Sequence, residues 1–320
     1  MENKISIIIP TYNRLEYLKS TLESFSDQLK KFRSRVELIV CNNASTDGTK
    51  DFLNLYVKKN KTISIKNYEN YLPVGLSIDR SITNANNNFI IVWGDDDIPF
   101  NSLLYTLFEN IDNDPTIDLV HFNRLAGYDK NDKALKSIFL VDPEIEMIKK
   151  KFNNIDKFAS KYFLNTTFIS SILFRKNLYK KNSNLNYERY LGYEFIATLY
   201  SNLKNKCILY IYFPLCIQRK PIKNSWHSKS AFYRFVSIPN IISDLEKLKI
   251  FDNKNSLWSK INNFNNFLAI IPQISIDKTF YFEKRNLILN YQKSRFRKLI
   301  YFLVLIFLNP NIYFFLKKLK

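Results

Sequence analysis

Within the first 93 residues, four short apolar runs rich in β-branched side chains alternate with segments of helical spacing. The runs are Lys4–Ile9 (KISIII), Val36–Cys41 (VELIVC), Thr62–Lys66 and Phe89–Trp93. The first, second and fourth read as strands buried on both faces. Between the first two, Leu15, Leu18, Leu22 and Phe25 recur at helical spacing, and Gly75–Asn86 reads as a helix before the fourth. Parallel neighbours cannot be joined by a tight turn, so this alternation predicts a doubly wound α/β sheet with right-handed crossovers.

The fourth run ends abruptly, Ile90-Ile91-Val92-Trp93-Gly94 leading into Asp95-Asp96-Asp97. Adjacent carboxylates repel one another and resist desolvation unless a cation joins them. At the carboxyl end of a parallel strand they stand where open α/β sheets bind ligands. Oxygen-only donors there suit Mg²⁺ or Mn²⁺ held alongside phosphates. On these residues alone a second reading stands beside this one, a solvated acidic turn capping a helix that starts near Asn101.

A chain of 320 residues can bury a sizeable core, and its 46% hydrophobic content is that of a globular protein. The formal charge of +19 calls for a polyanionic partner: nucleic acid, an anionic membrane face or phosphorylated substrates. No zinc-finger, recognition-helix or aromatic RNA-binding pattern accompanies it, so no nucleic-acid partner is expected. Cys41, Cys207 and Cys216 are odd in number, widely spaced and set in apolar runs. They read as buried thiols in a reducing compartment. Ile5–Ile9 is too short before Pro10 to be a signal peptide, which points to a cytoplasmic site of action.

Three motifs bring a family into view. Ile7-Ile8-Ile9-Pro10-Thr11-Tyr12-Asn13-Arg14, Asn43-Ala44-Ser45-Thr46-Asp47-Gly48-Thr49 and Gly94-Asp95-Asp96-Asp97 resemble, in order and at the right strand ends, the GT-A glycosyltransferases of family 2. The resemblance covers roughly residues 4–225. It implies a Rossmann-like GT-A mixed sheet flanked by helices, with a C-terminal helical appendage. By the same resemblance Pro10, Thr11, Tyr12 and Arg14 line the nucleotide pocket. Counting back from Leu104 places a metal ligand at Asp96 and a ribose contact at Asp95, with Asp97 a further or alternative ligand of Mn²⁺ or Mg²⁺. The family usually has Asp at the position of Asn42, accepting from the uracil ring N–H. Asn can accept too, but its amide also donates. A UDP-sugar is therefore the first expectation, with thymidine and cytidine carriers open and a plain loop cap at Asn42 also fitting. Arg80 matches a basic position facing the diphosphate, or else is a solvated helix charge.

Downstream, Ile117–Phe122 reads as a strand in which His121 is a core residue, and residues 124–140 as a hairpin excursion. Glu144–Phe163 reads as a basic amphipathic helix and Phe168–Phe174 as an apolar strand, which resembles the one beneath the acceptor site in this family. Inverting members carry an acidic pair at a helix start, and here Tyr193-Glu194 stands in its place. Glu194 is thus the candidate general base and Glu188 its fallback; a carboxylate at a helix start is also an ordinary stabilising feature. Cys207–Phe213 reads as the closing strand. In several GT-A families a loop here supplies a His to the metal. That resemblance makes His227 in the following basic loop a candidate metal ligand, or else a solvated residue, and Arg219 or Lys223 a phosphate clamp.

Residues 226–290 read as a helical region, and from residue 291 no acidic residue appears. The run Leu299–Leu308 spans about 15 Å as a helix, half of a ~30 Å hydrocarbon core. Asn309-Pro310-Asn311 interrupts it and basic residues flank both sides, which suits a helix lying in the cytoplasmic membrane interface. Packing on the protein's own core is the alternative. The expectation is a peripheral, cytoplasmic-side enzyme moving a sugar from a nucleotide diphosphate to a glycan, lipid-linked acceptor of a bacterial surface polysaccharide. Asn42 and the incomplete acidic pair also fit a catalytically inactive scaffold. A sugar-phosphate nucleotidyltransferase would need a Gly- and Lys/Arg-rich loop after the first strand. A basic nucleic-acid-binding protein would not need three aligned carboxylates.

Overall fold

The computed structural model describes residues 2–60, 62–128, 136–138, 148–220, 230–251, 278–283, 285, 286, 289, 295 and 297–301. The chain divides into two compact units, Met1–Lys181 with Thr198–Pro221, and Asn182–Ala197 with Ile222–Lys320.

The first unit opens with β1 (Ile5–Thr11), α1 (Leu15–Lys31), β2 (Val36–Asn43), α2 (Thr49–Lys59), β3 (Ile63–Tyr68), α3 (Val74–Ile82) and β4 (Phe89–Val92). These four strands are parallel in the order β3-β2-β1-β4. The chain thus builds outward from β1 on one side and returns to its other side, which makes the carboxyl ends of β1 and β4 a topological switch point. Along β1, Ile5, Ile7 and Ile9 join a core with Leu18, Leu22 and Phe25 of α1. Burying each of those helix side chains contributes about 1.5–3 kcal/mol. The alternate residue Ile8 and the α3 residues Ile78 and Ile82 are buried as well. α3 stops at Ile82, short of the expected Asn86, because the Asn84 amide donates back to the carbonyls of Arg80 and Ser81.

The sheet continues through β5 (Ile98–Pro99), β6 (Ile117–Tyr128), β7 (Lys136–Ile138), β8 (Lys149–Phe152), β9 (Ile172–Arg175) and β10 (Cys207–Lys220). β9 lies antiparallel between β4 and β6, so the sheet is mixed. α4 (Leu103–Asn113) follows β5 and adds Leu103, Leu104 and Leu107 to the core. β6 and β7 pair antiparallel, as the hairpin reading required.

Two expectations are corrected. The helix over Glu144–Phe163 is, in its described part, the strand β8 followed by the shorter helix α5 (Ile155–Tyr162). Lys149–Phe152 pairs antiparallel with Ile208–Ile211 of β10, and Asn154 then caps α5 by accepting from the Lys157 amide. The strand over Phe168–Phe174 is a 3₁₀ turn at Ile169–Ser171 before β9 begins. The Ser171 hydroxyl donates to the Phe168 carbonyl there and closes the turn locally.

His121 is a core residue, its ring 5.9 Å from that of Phe158 and 5.1 Å from that of Tyr210. Burial first, and then Arg124, push its imidazole down to about 3, against the Asn165 backbone.

The second unit includes the 3₁₀ turn Tyr187–Arg189, the start of α6 (Glu194–Tyr200) and α7 (Ser230–Lys247). Asp244 of α7 accepts from Arg189 at 3.1 Å and from the Tyr190 hydroxyl at 3.0 Å, which fixes the turn to that helix. No helix among the described residues is long and apolar enough to cross a membrane.

Candidate active site

The strand ends at the switch point carry the predicted motifs, and side-chain hydrogen bonds join them. Trp93 donates to the Ile8 carbonyl with its backbone N–H, extending the β1–β4 ladder to the edge of the acidic turn. Its indole N–H reaches the Asp97 carbonyl at 3.0 Å. Thr21 of α1 donates to the carbonyls of Asp95 and Asp97 at 2.9 and 3.2 Å, so the turn's backbone is held from two sides. A Cβ at Gly94 would lie 2.6 Å from Asp97 Oδ2, which leaves glycine as the residue that lets this carboxylate fold back.

The three carboxylates differ in surroundings. Asp95 is buried and accepts from Thr11 Oγ1 at 2.7 Å and from Arg14 at 3.0 Å. The Arg14 guanidinium also reaches Asp96 at 2.6 Å, so one cation bridges the two. Burial pushes the Asp95 carboxyl up to about 6, Arg14 pulling it down and Asp96 adding to the rise. Asp97 is buried over Gly94 and accepts from Ser170 at 2.5 Å, and Ser170 in turn accepts from the Gly94 amide at 2.8 Å. Burial, then repulsion from Asp96, raises Asp97 well above the usual carboxylate range.

Asp95 and Asp96 already share a positive group, so their chemistry fits a cation. Among the described residues no three acidic, histidine or cysteine side chains gather as a metal set. The protein's share of such a site is one or two carboxylates, the usual arrangement for ions that keep water and substrate phosphate as ligands. His227 and Lys223 lie outside the described residues. Arg219 does come to the acidic turn, by way of β10. It donates to the Asp96 carbonyl, and at 3.2 Å to the Tyr17 carbonyl and to the hydroxyls of Ser20 and Thr21.

The loops after β1 and β2 are stitched together. Asn13, at φ +53°, receives the Thr46 amide at 2.7 Å on its side-chain oxygen, and its own amide donates to the Ser45 hydroxyl at 3.0 Å. Asp47 accepts from the Leu15 amide at 2.9 Å and so caps α1 from another loop. Pro10 lies opposite Cys41 in the ladder and Thr11 opposite Asn42. Asn42 is buried; its oxygen accepts from the Ser45 amide at 3.1 Å, and its amide donates to the Asn67 oxygen at 2.9 Å. Asn43 exchanges hydrogen bonds with the Leu72 backbone and accepts from Arg80 at 2.6 Å. Arg80 also stacks on the Tyr68 ring at 3.6 Å, so it is not a solvated helix charge. Tyr12 and Tyr71, both exposed, meet with ring centroids 4.6 Å apart.

Glu194 begins α6 and is buried, whereas Glu188 lies in the 3₁₀ turn before it; both belong to the second unit. Four participants were missed in the sequence: Ser170, Thr21, Tyr71 and Asn67. Only Asn67 had a signal, since one more residue on the expected third strand sets it beside Asn42.

A mixed sheet flanked by helices, with an acidic turn at its switch point, is the architecture of the GT-A nucleotide-diphospho-sugar transferases. Solved structures agree in fold. The mannosyltransferase PcManGT from Pyrobaculum calidifontis, in complex with GDP-Man and Mn²⁺, aligns at a TM-score of 0.54 and 14% identity over 88% of this chain and 76% of that one. Residues 1–349 of S. aureus TarS, in complex with UDP-GlcNAc, align at 0.54 and 15% identity over 94% and 90% of the two chains. More particularly, the chain belongs to glycosyl transferase family 2, whose model matches residues 6–181. The abequosyltransferase RfbV of Salmonella typhimurium is 38% identical over 97 residues, a match that spans 29% of this chain and 28% of that relative.

Proposed function

We propose that this chain transfers a sugar from a nucleotide diphosphate to a glycan acceptor, a lipid-linked precursor of a surface polysaccharide, with inversion at the anomeric carbon. The observation that carries the reading is the hydrogen-bonded cluster of Thr11, Arg14, Asp95 and Asp96 at the switch point. Pro10, Thr11, Tyr12 and Asn42 line the nucleotide pocket, and Asp95 takes the ribose. Asp96 is the carboxylate for Mn²⁺ or Mg²⁺, a role supported by the Mn²⁺ in the PcManGT complex. Such an ion would neutralise charge on the departing diphosphate. Arg14 adds fixed positive charge beside that leaving group, and Arg80 holds the Asn43 loop in place. Asp97, bonded to Ser170, keeps the shape of the turn.

The acceptor hydroxyl attacks the anomeric carbon from the face opposite the diphosphate, and a carboxylate takes its proton. Glu194 is that base in this reading and Glu188 its alternative, on the resemblance of the helix start to the acidic pair of inverting members. Residues 1–225 carry the transferase chemistry; 226–290 form a helical region on their sequence, of which 252–277 lie outside the described residues. The basic segment 291–320 rests on the inner face of the cytoplasmic membrane, as its charge and its interrupted apolar run support.

Thermal unfolding in the presence of nucleoside diphosphates, with and without Mn²⁺, tests the reading. A ligand at a hundred times its Kd stabilises by about 2.7 kcal/mol, so one diphosphate should raise the Tm, and more so with Mn²⁺. If none raises it under either condition, the chain is not a nucleotide-sugar transferase.

A further inference from the structure

The orientation of two amides at the end of β2 selects the base of the donor. Ser45 meets Asn42 through its backbone N–H, a group that can only donate, so the Asn42 atom facing it at 3.1 Å is the oxygen. The Asn42 amide nitrogen then faces Asn67, whose oxygen accepts at 2.9 Å. That bond engages the Asn67 oxygen and leaves its amide nitrogen for another partner. Among the described residues nothing accepts from it, and Asn67 is only half-buried. Flipping either amide would set donor against donor, so the arrangement is locked by a backbone group. Thr11, Asn42 and Asn67 are successive partners across β1, β2 and β3. Tyr12, next to Thr11, and Tyr71, beyond β3, meet across the end of β2 with 42% and 54% of their surface exposed. An exposed aromatic pair beside a polar row is a platform on which a base can stack.

We infer that the Asn67 amide N–H at the end of this row reads the base, and takes a nucleoside diphosphate whose Watson–Crick ring nitrogen is an acceptor. Cytosine and adenine present such a nitrogen. Uracil, thymine and guanine present a ring N–H there, which the Asn67 amide N–H cannot accept; the amide could reach only a flanking carbonyl, and the ring N–H would lose its partner. The inference rests on the nucleotide-donor reading above and turns its base away from uridine and thymidine.

The test is calorimetric titration of the full-length protein with CDP, ADP, UDP, dTDP and GDP in the presence of Mn²⁺. CDP or ADP should bind about tenfold more tightly than the other three, and the two arms separate the pyrimidine from the purine. Asn67→Asp puts an acceptor in the row without disturbing buried Asn42, and should move the preference toward UDP; Asn42→Asp should do the same. UDP, dTDP or GDP binding as tightly as CDP and ADP to the unsubstituted protein overturns the inference while leaving the nucleotide-donor reading intact. An Asn67→Asp protein that folds and keeps the original order also overturns it. No binding by any of the five removes the donor reading itself, and the base assignment with it.

Discussion

Thr11 Oγ1 donates to Asp95 Oδ2 at 2.7 Å, which joins the ends of the two strands flanking the switch point through side chains alone. Both residues are buried, so this bond has no water to replace it. Thr11→Val keeps the shape and deletes the donor. Removing one partner of a buried acceptor costs about 1–3 kcal/mol. Urea denaturation should show that loss as a lower midpoint at unchanged slope. A midpoint equal to that of the parent protein would mean that Arg14 alone satisfies Asp95.

Asp96→Asn addresses the cation. Turnover and any Mn²⁺-dependent part of nucleotide binding should disappear. The apo protein should change little in stability, because repulsion from Asp95 and Asp97 is relieved while the 2.6 Å ion pair with Arg14 is lost. Full activity in this variant would reassign the metal-binding carboxylate.

Glu194→Gln preserves volume but cannot take a proton. The transfer rate should fall by about 10²–10⁴ with nucleotide affinity nearly unchanged. Parallel measurement of Glu188→Gln decides between the two carboxylates. If both variants turn over normally, neither is the base and inversion needs another group.

Much of this site is legible in the residues themselves. The strand ends, the acidic turn and the loop around Asn42 follow from the placement of apolar runs, because a buried strand in an α/β sheet must deliver its next residues to one edge. What stayed hidden were partners that depend on distant segments. Nothing near Asp97 indicates that Ser170, 73 positions away, will take its carboxylate. The contacts of Arg219, a candidate phosphate clamp, with α1 and the Asp96 carbonyl were not legible either, because β10 runs several residues beyond its expected end at Phe213. The misread helix before α5 has a similar origin. Lys149, Lys150 and Lys151 favour a helix by their own propensity, and pairing with β10 overrode it.

His121 adds to the loss of stability in acid. The folded state holds the imidazole neutral down to about 3, whereas the unfolded chain protonates it near 6.5. Between those values the unfolded state binds more protons, so stability falls as the pH is lowered through this window. The slope contributed is at most about 1.4 kcal/mol per pH unit. His121→Phe should flatten that limb in denaturation midpoints measured at pH 7.5, 6 and 5. An unchanged slope would assign the acid sensitivity to other groups.

The stitch between the loops after β1 and β2 constrains how such a chain can vary. Asp47 caps a helix that begins in a different loop, and Asn13 completes the turn that carries Asp47. Inserting one residue between Asn43 and Gly48 would withdraw the carboxylate from the Leu15 amide and leave that helix start open. Neither loop can lengthen alone. Among descendants of this sequence the two segments should be inherited as one gapless block, with replacements at Asn13, Thr46 and Asp47 arising together.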